Sequence, residues 1–256
     1  MEVIDKSKII KEINIRLSNI FGNNVTVLKK IMDEENIIIS GLFIAECVCG
    51  DYLQNNVSID FFSEFTASKL LDVFFKENGY KKTSISRQNI LGDVESTVKI
   101  FKIKKDLSHE QNEYKINLWS TKKITKPVKI WLDNVMDFDI CKNYYKIVNG
   151  EEKIYVKSYE NTINKKTKFS FARVIGGFNY KYTIDKYIDY EKNGIIFINS
   201  GVDMYNYICD NAYIINKEKE HKKVYYNFII KKCGKKSYPD ENGNKKYKYV
   251  FDLVRR

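Results

Sequence analysis

The 256 residues, 43% of them hydrophobic and 14% aromatic, can bury one large core or two modest ones, which excludes a disordered chain and predicts a two-lobed globular protein. Lys and Arg number 44 against 33 Asp and Glu, a net charge of +11, so RNA or DNA attracted through a basic surface is one implied partner. The excess also has a bland source, because Lys, Asn, Ile and Tyr are all heavily used and share A/T-rich codons.

No apolar run approaches the roughly 20 residues that span a bilayer. The start, Met1-Glu2-Val3-Ile4-Asp5-Lys6, lacks the basic and then apolar order of a signal peptide, so the expectation is an intracellular protein without a membrane partner. Five cysteines, odd in number and scattered, agree with that placement. The close pair Cys47 and Cys49 is spaced too tightly for a zinc site and reads as small buried hydrophobes. With only His109 and His221, chemistry needing several histidines is excluded.

In chain order, Ile9, Ile10, Ile13, Leu17 and Ile20 predict a helix over 6–21 that ends at Gly22. A short helix follows over 25–33, then a strand over 37–39 buried on both faces, as in the middle of a mixed or parallel sheet. Gly41 ends it, and an apolar helix over 42–49 leads to a strand over 57–62. A helix over 66–78 is closed by Gly79. Strands are expected over 98–104 and 114–119 and a short helix over 128–134 behind Pro127. The alternation over 135–141 predicts a strand with Asp137 and Asp139 on one face. Asn149-Gly150 predicts a primed turn in a hairpin over 147–156. A helix over 183–192 stopped by Asn193-Gly194, an extended segment over 195–198 and a polar turn over 239–244 complete a lysine- and tyrosine-rich, partly helical carboxy-terminal lobe. The expected division is 1–160 and 161–256.

The order of Ser40-Gly41, an apolar helix, Ser58-Ile59-Asp60 and a later Asp137-Phe138-Asp139-Ile140-Cys141 resembles the polymerase-β-like nucleotidyltransferase superfamily. Its signature is an apolar residue with Gly and then Gly or Ser, followed by Asp-apolar-Asp and a third Asp from a later strand. Phe138-Asp139-Ile140-Cys141, the Asn149-Gly150 hairpin and, in part, Asp189-Tyr190-Glu191-Lys192-Asn193-Gly194 are most similar to nucleotidyltransferase-like proteins of large DNA viruses. The resemblance covers 37–195. It implies an α+β fold, a nucleotidyltransferase-like mixed sheet flanked by helices with a smaller carboxy-terminal lobe, and a viral protein of host cytoplasm or virion.

The resemblance also implies a site. Ser40, Gly41 and Ser58 would bind the nucleotide, Asp60 and Asp139 would be catalytic, and Asp60, Asp139 and Asp137 would hold Mg²⁺ or Mn²⁺. Carboxylates at i and i+2 on a strand share a face and can reach the same metals. Two such ions align an in-line attack on a nucleoside triphosphate, and a Gly turn at a helix N-terminus receives phosphate. Two positions depart from the pattern: Ser58 replaces the first carboxylate and Leu42 replaces the phosphate-side Gly or Ser. Taken singly, Ser-Gly after a strand is a common turn, and aspartates on an alternating strand are often its solvated face. No Walker loop, nucleophile elbow or kinase set is present. Two functions follow: a catalytically degenerate pseudoenzyme binding a nucleotide (NTP), nucleic acid or protein partner, which is favoured, or an active nucleotidyltransferase.

Overall fold

The structure, a computed structural model, describes residues 5–53, 58–90, 94–103, 114–121, 132–133, 136–169, 186–187, 189–198, 228–239 and 245–255. The chain divides into two compact units, Met1–Lys166 and Thr167–Arg256.

In the first unit, α1 (Lys6–Phe21) begins where the Asp5 carboxylate accepts the Ser7 and Lys8 amide N–H groups, both at 3.1 Å, an N-cap that satisfies otherwise orphaned donors. Its helical spacing buries Ile9, Ile13, Leu17 and Ile20. α2 (Val25–Glu34) buries Leu28 and Met32. Then come β1 (Ile38–Ser40), α3 (Leu42–Cys49), β2 (Ser58–Glu64) and α4 (Phe65–Glu77). A hairpin of β3 (Lys81–Ile90) and β4 (Val94–Ile103) leads to β5 (Tyr114–Thr121), and a second hairpin is made of β6 (Tyr144–Val148) and β7 (Glu151–Tyr155). The short helix α5 (Tyr159–Ile163) follows.

These strands form one seven-stranded sheet in the order β3-β4-β5-β2-β1-β6-β7. The β2–β5 pair is parallel and the other pairs are antiparallel, so the fold is α+β, a mixed sheet flanked by helices. Period-two alternation turns Ile59, Phe61, Ile116, Leu118, Ile39, Tyr145 and Ile154 into one buried cluster with Leu17, Leu28, Met32, Leu71 and Phe75 of the helices. The Phe75 ring meets Phe61 edge-on at 5.7 Å and Phe21 at 6.0 Å. Burying each such side chain contributes about 1.5–3 kcal/mol. The alternate residues of the same strands, Ser58, Asp60, Asn117, Trp119 and Tyr144, therefore fall on the opposite face.

The helices over 6–21, 25–33, 42–49 and 66–78 stand within a residue of their predicted ends. The Asn149-Gly150 turn has φ of 55° and 78°, as a primed turn requires, and both of its amide N–H groups donate to the Asp33 carboxylate, at 2.9 and 2.7 Å. The sequence does not announce β3, because Lys-Lys-Thr-Ser-Ile-Ser-Arg-Gln lacks an apolar alternation; it pairs on one side only, with β4.

The strand expected over 135–141 is a correction. Phe138 makes a lone bridge, and Asp139–Lys142 is a 3-10 turn closed by the Cys141 N–H donating to the Phe138 carbonyl at 3.0 Å. β1 is already paired with β2 and β6, and β2 with β1 and β5, so neither offers this segment an edge. Asp137 and Asp139 thus share no strand face. Of the helix expected over 128–134, only Leu132 and Asp133 are described, and both are helical. Residues 128–131 and 134, like 183–185 and 188 of the later expected helix, lie outside the described residues.

In the second unit, the described residues include a helical segment over 189–192 that stops at Gly194 with φ 80°. There the Ile198 N–H donates to the Thr167 carbonyl at 2.8 Å, and β8 (Phe228–Pro239) pairs antiparallel with β9 (Lys245–Arg255). The polar turn expected over 239–244 falls between them, and 240–244 lies outside the described residues. Among the described residues, no helix is long and apolar enough to cross a membrane.

Candidate functional site

Strand register places Asp60 of β2 opposite Ser40 of β1 on one side and Asn117 of β5 on the other. Ser40 in turn faces Tyr144 of β6, which faces Tyr155 of β7. A transverse row of Tyr155, Tyr144, Ser40, Asp60 and Asn117 therefore crosses the sheet on the face away from the main core. One step of two residues along β2 and β5 adds Ser58 on one side and Phe62 with Trp119 on the other.

Asp60 is held rigidly in this row. Its Oδ1 accepts the Asn117 Nδ2–H at 2.7 Å and the Trp119 indole N–H at 2.9 Å. The Asn117 amide also donates to Ser58 Oγ at 2.9 Å, using its second proton. The Trp119 ring is kept in place by parallel stacking on Phe62, 5.8 Å between centroids and 7° between planes. Two uncharged donors, an amide and an indole N–H, thus fix one carboxylate oxygen.

The other oxygen of Asp60 approaches the backbone of Gly41, the N-cap residue of α3. A Cβ at Gly41 would overlap Asp60 Oδ2 and lie 3.3 Å from its Cγ. Gly41 also has φ 87°, a conformation that side chains disfavour. Glycine is required here twice, by conformation and by the carboxylate packed on it.

Ser40 and Gly41 face a different set of acceptors from the one the resemblance implies. Ser40 is fully buried, and its hydroxyl lies 2.9 Å from the Cys141 carbonyl and 2.7 Å from the Asn143 carbonyl. The Gly41 N–H donates to the same Cys141 carbonyl at 3.1 Å. These donors tie the end of β1 to the 3-10 turn and to the start of β6. Asn143, itself buried, continues the tie by accepting the Lys157 N–H at 2.9 Å through its side-chain oxygen.

Asp139 belongs to another cluster. Its Oδ1 accepts from Lys142 Nζ at 2.9 Å and Lys157 Nζ at 3.0 Å, while Asp133 Oδ1 accepts from Lys157 at 2.8 Å and lies 3.6 Å from Lys142. Burial opposes the charge on Lys157, but the hydrogen bonds to Asp133 and Asp139 outweigh it and hold the ammonium above the ordinary lysine range. Two carboxylates and two ammonium groups neutralise one another. Asp137 is buried.

This donor set does not fit the divalent-cation centre that the resemblance implies. Mg²⁺ takes hard, mostly anionic oxygen ligands, yet Asp60 stands between neutral Ser58 and Asn117 and Asp139 is paired with two lysines. Among the described residues, no group of three or more His, Cys, Asp or Glu side chains is placed to hold a metal ion. Asn117, Trp119, Lys142 and Lys157 were not singled out from the sequence. A polar residue two before a tryptophan in an otherwise apolar alternation was the one available signal for the first pair.

No family model matches the chain, and no curated protein matches it. Among solved structures, it is similar to a tRNA nucleotidyltransferase complexed with a primer tRNA and an incoming ATP analog, at 12% identity and a TM-score of 0.35, over 58% of this chain and 40% of that one. The likeness thus spans less than half the length of that enzyme chain.

Proposed function

We propose that the protein is a catalytically degenerate nucleotidyltransferase-like protein that binds a nucleotide, nucleic acid or protein partner on the sheet face carrying Asp60. The observation that carries this reading is the single carboxylate of the row, Asp60, between Ser58 and Asn117. The motif order that resembles the superfamily calls for Asp at position 58 and a third Asp on a neighbouring strand. Register makes β5 the neighbour of β2 away from β1, with neutral Asn117 opposite Asp60, and Asp139, the third Asp that the resemblance implies, is paired with Lys142 and Lys157.

Phosphoryl-group transfer depends on neutralising charge that develops on the triphosphate. One carboxylate, with one oxygen already accepting from an amide and an indole N–H, offers fewer anionic ligands to that neutralising charge than a set of three. It can accept hydrogen bonds from a ligand, with the Ser58 hydroxyl beside it as a donor or acceptor.

The test is incubation with each labelled NTP, Mg²⁺ or Mn²⁺, and RNA or protein acceptors. The wild-type chain is expected to transfer nothing, and the Ser58→Asp/Asn117→Asp double variant to gain transfer. Wild-type turnover that Asp60→Ala abolishes overturns the reading in favour of an active nucleotidyltransferase.

A further inference from the structure

On β6 and β7, period-two alternation sends Tyr145, Ile147 and Ile154 into the core and leaves Tyr144, Lys146, Lys153 and Tyr155 on the same face as Asp60. Tyr144 and Tyr155 are cross-strand partners whose rings stack at 5.0 Å and 26°. The next pair on this face, two residues along and about 7 Å away at strand rise, is Lys146 opposite Lys153. Like charges placed directly opposite in a ladder repel each other and weaken the pairing. No carboxylate pairs with Lys146 among the described residues. Lys153 lies 3.1 Å from Glu151, but both side chains are at least half exposed, and an exposed pair of this kind contributes little. β7 is the edge strand of the sheet, and Tyr144, Lys146 and Tyr155 are partly open to solvent.

We infer that this tyrosine and lysine patch is a docking surface for single-stranded nucleic acid, a partner more specific than, and resting on, the binding role proposed above. The chemistry is complementary on two counts. A tyrosine platform stacks bases of any sequence, and a neighbouring lysine pair takes the phosphates that join them. Bound phosphate also removes the Lys146–Lys153 repulsion, which an uncharged or basic partner leaves in place. An acidic peptide supplies the charge but nothing to stack, and a duplex keeps its bases paired and inaccessible to the platform. The patch shares its transverse row with Asp60 through Tyr144 and Ser40.

The test is titration of the full chain with labelled oligo(U) and oligo(dT), with a duplex of equal length and poly-glutamate as controls. The single strands are expected to bind, more tightly than either control and more weakly as salt rises. Lys146→Gln/Lys153→Gln is expected to flatten the log–log salt slope by about 1.4, two phosphates at about 0.7 each. Tyr155→Ala is expected to lower affinity about five- to hundredfold, the loss of one stacked base, while Tyr155→Phe keeps it. Circular dichroism checks that each variant is folded. Absence of single-strand binding, equal binding to poly-glutamate, or an unchanged salt slope in the folded lysine variant overturns the inference. Failure here with no NTP turnover sinks this surface alone. Turnover lost on Asp60→Ala sinks the degenerate-enzyme reading, whatever the titration gives.

Discussion

Gly41 is the residue where conformation and site meet. Its φ of 87° and the packing of Asp60 Oδ2 on its α-carbon make separable demands, so Gly41→Ala should cost more than either alone. We expect a loss of about 2–4 kcal/mol, of which roughly 1–2 kcal/mol is the left-handed backbone penalty. In an Asp60→Ala background, the overlap disappears and the same substitution should cost only the backbone part. A double-mutant cycle by chemical denaturation measures the difference; equal costs in both backgrounds mean that the carboxylate does not press on the turn. Asp60 and Ser58 were legible in the sequence because two residues on one strand keep their relation whatever surrounds them. Asn117 was not, since nothing local marks which residue of a distant strand will stand opposite Asp60. The short alternation around Asp139 predicts a strand, but the residue lies in a 3-10 turn and pairs with Lys142 and Lys157.

At the scale of elements, a buried ion pair joins α1 to α3. Arg16, 6% exposed, meets Glu46, 2% exposed, at 3.4 Å, and it also pairs with half-buried Glu12 at 2.6 Å while lying 4.3 Å over the Tyr52 ring. Glu46 accepts the Leu53 N–H at 3.0 Å through its other oxygen, which fastens the segment after α3. Removing one member of such a pair strands the other charge in a poorly solvated place, whereas removing both charges does not. Glu46→Gln, which keeps an acceptor for Leu53, should destabilise by about 3 kcal/mol, the low end for a broken buried pair because Glu12 remains. Arg16→Met with Glu46→Gln should recover more than half of that loss in urea unfolding. A double variant as unstable as the single one would mean that lost packing, not the unpaired charge, sets the cost. The helices themselves were readable from 3.6-residue spacing, but that a charged pair lies between them was not. Arg16 falls on the apolar stripe beside Ile13 and Leu17, and a charge in such a stripe is explained only by its partner on another helix.

Among the described residues of the first unit, the resolved titrations above neutrality act in one direction. Burial pushes the Cys49 thiol up from 9.0 to about 11 and the Tyr80 phenol up from 10.0 to about 12. Burial likewise raises the Cys47 thiol. In each case the folded value lies above the unfolded one, so the stability contribution is complete below the unfolded value and is lost as pH rises through the folded one. Lys157, raised by Asp133 and Asp139 against the effect of burial, has the same sign, with its loss beginning above 10.5. Stability should therefore be level from pH 7 to 8 and fall from about pH 9 to about 12. Cys49→Ser, which still donates to the Thr162 carbonyl that the thiol reaches at 2.9 Å, should make the fall shallower without abolishing it, because Cys47 remains. Thermal unfolding across this pH range checks both the onset and the change; a steeper fall in the variant would refute the assignment to Cys49.

Local rules of the sequence by themselves determined α1 to α4, the buried strand before Gly41, the primed hairpin at Asn149-Gly150 and the shared face of Ser58 and Asp60, but not the short helix α5. Each of these rests on residues within a few positions of one another, where periodicity and backbone preference act directly. Only the tertiary structure decided whether Asp60 would meet further carboxylates. Parallel pairing set β5 beside β2, and so Asn117 beside Asp60. The edges of β1 and β2 were then full, Asp139–Lys142 closed into a 3-10 turn, and Asp139 went to Lys142 and Lys157. The same pairing aligned Tyr144, Tyr155, Lys146 and Lys153 on the Asp60 face. Which side chains oppose one another across a sheet depends on the order and register of strands far apart in the chain, and no local preference encodes either.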